Sequence, residues 1–248
     1  MTTLVRSVLV LCLLFVGMLA VPGQRAEAQE ETVRQTKEVE AFVEVAFAVP
    51  GTVHLRQGEP QSVEVEGSDA TLAQVEVEVE EETLHIRTEG AGSWLNWFGM
   101  RADDPEGRVD VYVTVPTIEG LSIAGAGDVV GETPIRSDEL VLRNAGSGRF
   151  DLDVEADAVE VQIAGSGTTR LRGRTDRVLA EIAGSGNMEA VELETASAEV
   201  SIAGSGNVQL TVTDRLSAQV MGSGNVRYRG SPRVDTSVMG SGTVEAME

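Results

Sequence analysis

The chain has 248 residues, with 40 acidic against 19 basic side chains and a formal net charge of −21. Charge of that sign and size excludes nucleic acid and anionic membrane surfaces as natural partners, because both need a basic footprint. One cysteine and two histidines leave little room for disulfide, thiolate or metal chemistry.

The chain opens on a short basic stretch, Met1 to Arg6, followed by an uncharged apolar run from Ser7 to Val21. Ala26-Glu27-Ala28 then supplies a small-x-small cleavage pattern, so residues 1–28 read as an export signal removed after Ala28. The competing reading is an uncleaved anchor. The run is short for a spanning helix, which needs roughly 20 apolar residues. Cys12 lies inside the run without the small residues that precede a lipoprotein cysteine, and it leaves with the signal. The signal implies a protein outside the cytoplasm, whether periplasmic, surface-bound or secreted. No later stretch is apolar enough to span a membrane as a helix. Lys37 is the only lysine. Acid loading with almost no lysine suits proteins that work in concentrated salt, and it equally suits a surface that stays soluble and guards its strand edges.

Residues 29–37 are polar and are expected to form a disordered linker. Residues 38–117 alternate with a period of two. Phe42, Val45 and Phe47 mark one strand, Val53 and Leu55 a second, Val63 and Val65 a third, and Val75, Val77 and Val79 a fourth. Leu84 and Ile86 come next, and then Val109, Val111, Val113 and Val115. Turn residues at Pro50-Gly51, Gln57-Gly58, Gly67-Ser68-Asp69 and Pro116 separate them. Ala70 to Gln74 suits one short helical turn. This part is expected to be an N-terminal strand-rich cap, continuous with the repeats that begin near Ile118.

From Ile118 to residue 248 the chain repeats. Seven corners carry paired glycines: Gly125 and Gly127, Gly146 and Gly148, Gly165 and Gly167, Gly184 and Gly186, Gly204 and Gly206, Gly222 and Gly224, Gly240 and Gly242. They recur about every 18 to 21 residues, the period of a stacked repeat. Two positions before each first glycine stand Ile123, Asn144, Ile163, Ile182, Ile202, Val220 and Val238; four after it stand Val129, Phe150, Thr169, Met188, Val208, Val226 and Val244. Period-two alternation on both sides predicts at least two strands per repeat with one face inward. A second set of breaks is expected midway, at Glu155-Ala156-Asp157, Gly173 to Asp176, Thr213-Asp214 and Gly230-Ser231-Pro232. One such repeat cannot bury its own apolar face. Stacked parallel coils about 4.8 Å apart turn equivalent residues into internal columns. The fold class is therefore all-β, a parallel β-helix or solenoid. Each corner needs glycine for φ > 0 or for close backbone approach, and the serine between the glycines is placed to bond its own corner or the next serine.

These recurrent (Ile/Val)-(Ala/Met)-Gly-Ser-Gly corners resemble the head-GIN-domain family of putative auto-transporter adhesins. So do Tyr228-Arg229-Gly230-Ser231-Pro232 and the block ending Val113-Thr114-Val115-Pro116. The likeness covers roughly residues 38–246. It implies an exported bacterial protein, a right-handed parallel β-helix and an adhesive role, and it brings no catalytic residues to carry over.

Other constellations each have a simpler reading. A calcium ladder needs several oxygen ligands per site, and only Asp128 follows a corner. Asn187, Asn207 and Asn225 form one column, read first as a hydrogen-bonded amide ladder and second as a sugar-binding stripe. Arg143, Arg149, Arg170, Arg172, Arg174 and Arg177 cluster on early coils, to pair with nearby carboxylates or to hold an acidic polysaccharide. His54 and His85 are strand histidines without metal-ligand spacing. Glu76, Glu78 and Glu80 alternate on the wet face of a strand. Trp94, Trp97 and Phe98 sit in a loop that either plugs the end of the core or presents an aromatic contact for a partner or glycan.

No metal, cofactor or catalytic group is expected. The leading functional reading is a non-enzymatic binding or adhesin-like module that contacts glycans or envelope components. The alternatives are a polysaccharide-acting enzyme on a β-helix scaffold and a structural protein that self-associates through the solenoid ends.

Overall fold

The computed structural model describes residues 32–88 and 107–247, and Glu31–Glu248 forms one compact unit. It is an all-β solenoid of about seven turns. The N-terminal strands are β1 (Thr32–Lys37), β2 (Glu44–Ala48), β3 (Gly51–Gln57) and β4 (Ser62–Ser68), followed by α1 (Asp69–Leu72). Then come β5 (Val75–Glu80), β6 (Thr83–Thr88), β7 (Val109–Val115), β8 (Gly120–Gly125) and β9 (Asp128–Gly131). The repeats supply β10 (Ile135–Gly146), β11 (Arg149–Gly165), β12 (Thr168–Gly184), β13 (Asn187–Gly204) and β14 (Asn207–Gly222). The last three strands are β15 (Asn225–Arg229), β16 (Arg233–Gly240) and β17 (Thr243–Ala246).

Alternation dictates these strands, and parallel pairing puts like on like. Ile163 pairs with Ile182, Ile182 with Ile202, and Ile202 with Val220. The expected inward columns are buried from Leu140, Phe150 and Leu152 to Leu216 and Val226. Two ladders result. One runs β4–β7–β3–β9 and on through the first halves of the long strands to β15 and β17. The other runs β5–β6–β2–β8–β10 and on through the second halves to β16.

The sequence pattern predicts two strands per repeat, yet β11 to β14 each run unbroken from corner to corner. At the midway bends from β11 to β13 the chain turns and keeps most of its ladder, because the neighbouring coil bends in the same place: Val154 stays opposite Gly173, and Thr175 opposite Thr195. Between β13 and β14 the register slips there, from Ala190 opposite Leu210 to Glu194 opposite Thr211. The two inward threonines there satisfy their hydroxyls locally, Oγ1 of Thr175 donating to the Arg177 carbonyl and Oγ1 of Thr195 to that of Ser197. Breaks persist where proline removes the ladder N–H, just before β10 at Pro134 and between β15 and β16 at Pro232.

Each corner is fixed by backbone. Gly184 has φ +120°, and a Cβ there would collide with the carbonyl of Gly165. Gly186 has no such φ; its Cβ would run into Cγ2 of Ile163 on the coil below. One glycine answers to conformation and close approach together, the other to close approach alone. The corner serines bond through their main chain: Ser185 N–H donates to the Gly165 carbonyl and Ser205 N–H to that of Gly184, both at 2.8 Å. The stack is thus tied at its corners by backbone groups, which any residue but proline in the serine position would supply.

Residues 32–37 correct the expectation of a disordered linker. They form β1, antiparallel to β4, with Arg34 opposite Glu66 and Lys37 opposite Val63. The edge N–H and C=O groups of β4 supply partners that polar composition alone does not reveal. The short turn expected near Ala70 is α1, capped by the Ser68 hydroxyl, which accepts from Thr71 N–H at 3.2 Å.

Candidate functional site

The outward face of the first ladder carries the richest arrangement of polar side chains. Three residues after each first glycine, the chain presents an outward position. In successive coils these hold Arg149, Thr168, Asn187, Asn207, Asn225 and Thr243, paired in register. The three asparagines form the expected ladder. Asn207 Nδ2 donates to Asn187 Oδ1, Asn225 Nδ2 to Asn207 Oδ1, and Thr243 Oγ1 to Asn225 Oδ1, each at 3.0 Å. Every amide nitrogen has a second N–H that this chain of bonds leaves unused.

Two residues further on, a second outward column holds Asp151, Arg170, Glu189, Gln209, Arg227 and Glu245. Arg170 lies between two acids, 3.6 Å from Asp151 and 2.6 Å from Glu189. The hydrogen bond to Glu189, ahead of all other causes, raises the arginine pKa further above its ordinary value. Arg172 also reaches Asp151, at 2.6 Å. Between the two columns runs a shallow groove with Met188 and Val208 in its floor, walled by Asn187, Asn207, Asn225, Glu189, Gln209 and Arg227. Beyond it the ladder register shifts between Arg170 and Arg172, where Ala190 and Val191 together stand against Leu171 and lengthen the coil by one residue. Bulges of this kind re-aim outward side chains.

The same face continues across the N-terminal strands with different chemistry. The His54 and Tyr112 rings stack with centroids 4.8 Å apart, and the Arg34 guanidinium covers the Tyr112 ring at 3.9 Å. His54 is flanked by Asp110 at 4.0 Å and Glu132 at 3.8 Å, and Arg34 also bonds Glu64 and Glu66. Sequence reasoning missed Tyr112 and Arg34. The signal lay in register: Tyr112 and His54 are paired positions of β7 and β3, and neither strand declares its partner in sequence.

Of the arginine cluster, Arg170 and Arg172 pair with carboxylates as expected. Asp128 lies opposite Arg149 in the ladder. His85 is a half-buried strand residue opposite Glu78. Glu76, Glu78 and Glu80 share one outward face, where Arg87 gathers them, while Val75, Val77 and Val79 pack partly against the core. Of the paired glycines, the first of each pair ends a strand and the second lies in the gap before the next strand. Among the described residues, no three His, Cys, Asp or Glu side chains converge in a way that would hold a metal ion, and no helix is long and apolar enough to cross a membrane. Trp94, Trp97 and Phe98 lie outside the described residues, as does the expected export signal.

Comparison with known proteins decides the family. Residues 41–232 match the family described as putative auto-transporter adhesin, head GIN domain. The chain belongs to this family. Several solved structures share its fold. A putative adhesin from Bacteroides fragilis is 25% identical with a TM-score of 0.79, and the alignment covers 88% of this chain and 98% of that one. A protein described as putative lipid binding, from Parabacteroides distasonis, is 21% identical with a TM-score of 0.74, covering 89% and 98%. A second P. distasonis protein, a putative adhesin, is 22% identical with a TM-score of 0.67, covering 88% and 98%. No curated protein matches the chain.

Proposed function

We propose that this head GIN domain is an exported, non-enzymatic adhesin-like module that binds neutral glycans of the cell envelope along the groove beside the asparagine ladder. The observation that carries the reading is the repeated presentation of an amide with a free N–H, flanked by Glu189, Gln209 and Arg227. A ligand with regularly spaced hydroxyls meets an amide donor at three successive coils, about 4.8 Å apart. A chain of net charge −21 repels an anionic polymer, so a neutral one is favoured. Glycoside cleavage takes two carboxylates facing each other across the bond, about 5–9.5 Å apart. The groove is walled by one, Glu189, and Arg170 holds it. The family and the solved adhesins support the adhesive side of the reading.

The test is a glycan array probed with the exported protein and with a Gln209→Ala/Arg227→Ala double variant. Binding to neutral glycans is expected for the parent and at least about a tenfold loss for the variant, the scale of one or two polar contacts. Unchanged binding in the double variant, or retention of acidic glycans only, would overturn it.

A further inference from the structure

The two ends of the solenoid differ: among the described residues, no strand pairs with the outer edge of the C-terminal coil. In β16 the inward positions are Val234, Thr236 and Val238, equivalent to Leu216, Ala218 and Val220 one coil below. Leu216 and Val220 are fully buried, whereas Val234 and Val238 are 41% and 40% exposed. Among the described residues β16 pairs only with β14, and β17 only with β15. Their outer edges present a row of free N–H and C=O groups above an uncovered apolar floor. Arg233 and Asp235 charge only its outward side and Pro232 precedes it; no inward charge, no lysine and no bulge interrupts β16 itself. The N-terminal end is blunted instead. There β1 and β5 lie antiparallel on β4 and β6, and the rim carries Lys37, Glu76, Glu78 and Glu80.

We propose that the C-terminal coil docks onto the same coil of a second copy, tail to tail about a two-fold axis at Thr236. Three features select that occupant. First, the inward row Val234–Thr236–Val238 reads the same in both directions. An antiparallel pair centred on Thr236 sets Val234 against the partner's Val238 twice and closes both cores at once. Second, the outward residues tolerate this register. Asp235 faces Ser237 and Arg233 faces Met239, so no like charges stand directly opposite. Third, the area suffices. An eight-residue strand spans about 26 Å, and two sheets about 10 Å apart with their side chains make a coil end of about 500 Å². Two such faces bury about 1,000 Å², the lower bound for a specific interface. The net charge of −21 opposes the association at low ionic strength, so salt strengthens it.

Sedimentation velocity on protein recovered from an exporting host tests this. The expected result is a reversible monomer–dimer equilibrium with no larger species, shifted toward dimer by added salt. Thr236→Lys places two ammonium groups face to face on the axis and is expected to weaken dimerisation at least about tenfold, with circular dichroism unchanged and melting equal to the parent's at concentrations where the parent is monomeric. Thr36→Lys on the β1 edge is expected to leave it intact. Thr236→Cys is expected to yield a reducible covalent dimer, because directly opposed residues in an antiparallel pair have Cα atoms about 4.5–5.5 Å apart, within disulfide reach. A monomer at every concentration and salt overturns the proposal. So do open-ended oligomers, a dimer lost in Thr36→Lys rather than Thr236→Lys, or failure of Thr236→Cys to cross-link.

Discussion

The N-terminal strands and the glycine-cornered coils build one continuous core by opposite means. The coils stack equivalent residues in register, so from Gly146 on the first glycine of each corner meets the same backbone crowding from the corner before it. The N-terminal strands have no such repetition. They reach the same column with one large ring: Phe47 pairs with Ile123, and its ring lies where a Cβ on Gly127 would fall. One coil on, Ile123 itself occupies the equivalent place beneath Gly148. Repetition gives a uniform fit from coil to coil, whereas the irregular N-terminal strands β1 and β5 fold back antiparallel on β4 and β6. Removing the ring should therefore be the most damaging single change. Phe47→Ala is expected to cost about 3–5 kcal/mol, the usual range for a fully buried phenylalanine. Chemical denaturation measures it, and a loss under about 1 kcal/mol would detach the N-terminal strands from the shared core.

The corner glycines sharpen the same contrast. Gly125 and Gly184 both have positive φ, +102° and +120°. Gly125 opens the first corner, and the Cβ of an alanine there would meet nothing within 4 Å; at Gly184 the same carbon meets the Gly165 backbone. Backbone strain is common to both substitutions, and overpacking is confined to the second. Gly184→Ala should cost about 1–3 kcal/mol more than Gly125→Ala. Equal losses in parallel urea titrations would mean that φ alone sets the glycine requirement.

Much of this architecture was legible in the sequence because stacking is local in its logic. Aligning corners recovered the columns of Ile163, Ile182 and Ile202 without knowledge of any long-range contact. The unbroken bends were not legible, since Thr175 looks like a turn residue and only the neighbouring coils, through Ala156 and Thr195, keep it in a ladder. Nor was β1: Thr32–Lys37 carries almost no apolar signal, and its partner β4 lies some thirty residues away. Of the candidate face, the asparagine column could be read directly. The groove beside it depends on Gln209 and Arg227 sharing a file with Glu189, which becomes visible only once the coils are in register.

The ladder offers a third measurement. Asn207 both donates to Asn187 and accepts from Asn225, so Asn207→Ala removes two half-buried hydrogen bonds. At the net value of such bonds the loss is about 1–2 kcal/mol. Asn207→Thr should return most of it, because Thr243 already joins the ladder through its hydroxyl. Thermal melts of the pair distinguish a structural ladder from amides held only for a ligand, for which both variants would melt like the parent.

The smallest effect is expected where the two regions place an arginine on the shared outward face. Arg170 bridges Asp151 and Glu189 in the coils, and Arg34 bridges Glu64 and Glu66 while lying on Tyr112. Both guanidiniums are open to solvent, where ion pairs are screened and contribute little. Arg170→Ala should shift the melting temperature less than Asn207→Ala does, and the shift should vanish at high salt as the Coulomb attraction is screened. Arg34→Ala should keep a residual shift in high salt, because the arginine also loses its packing on an aromatic ring, which salt does not remove. Melting both variants at low and high ionic strength separates the two cases. A salt-resistant loss at Arg170 would show that its column stabilises the stack through packing rather than charge.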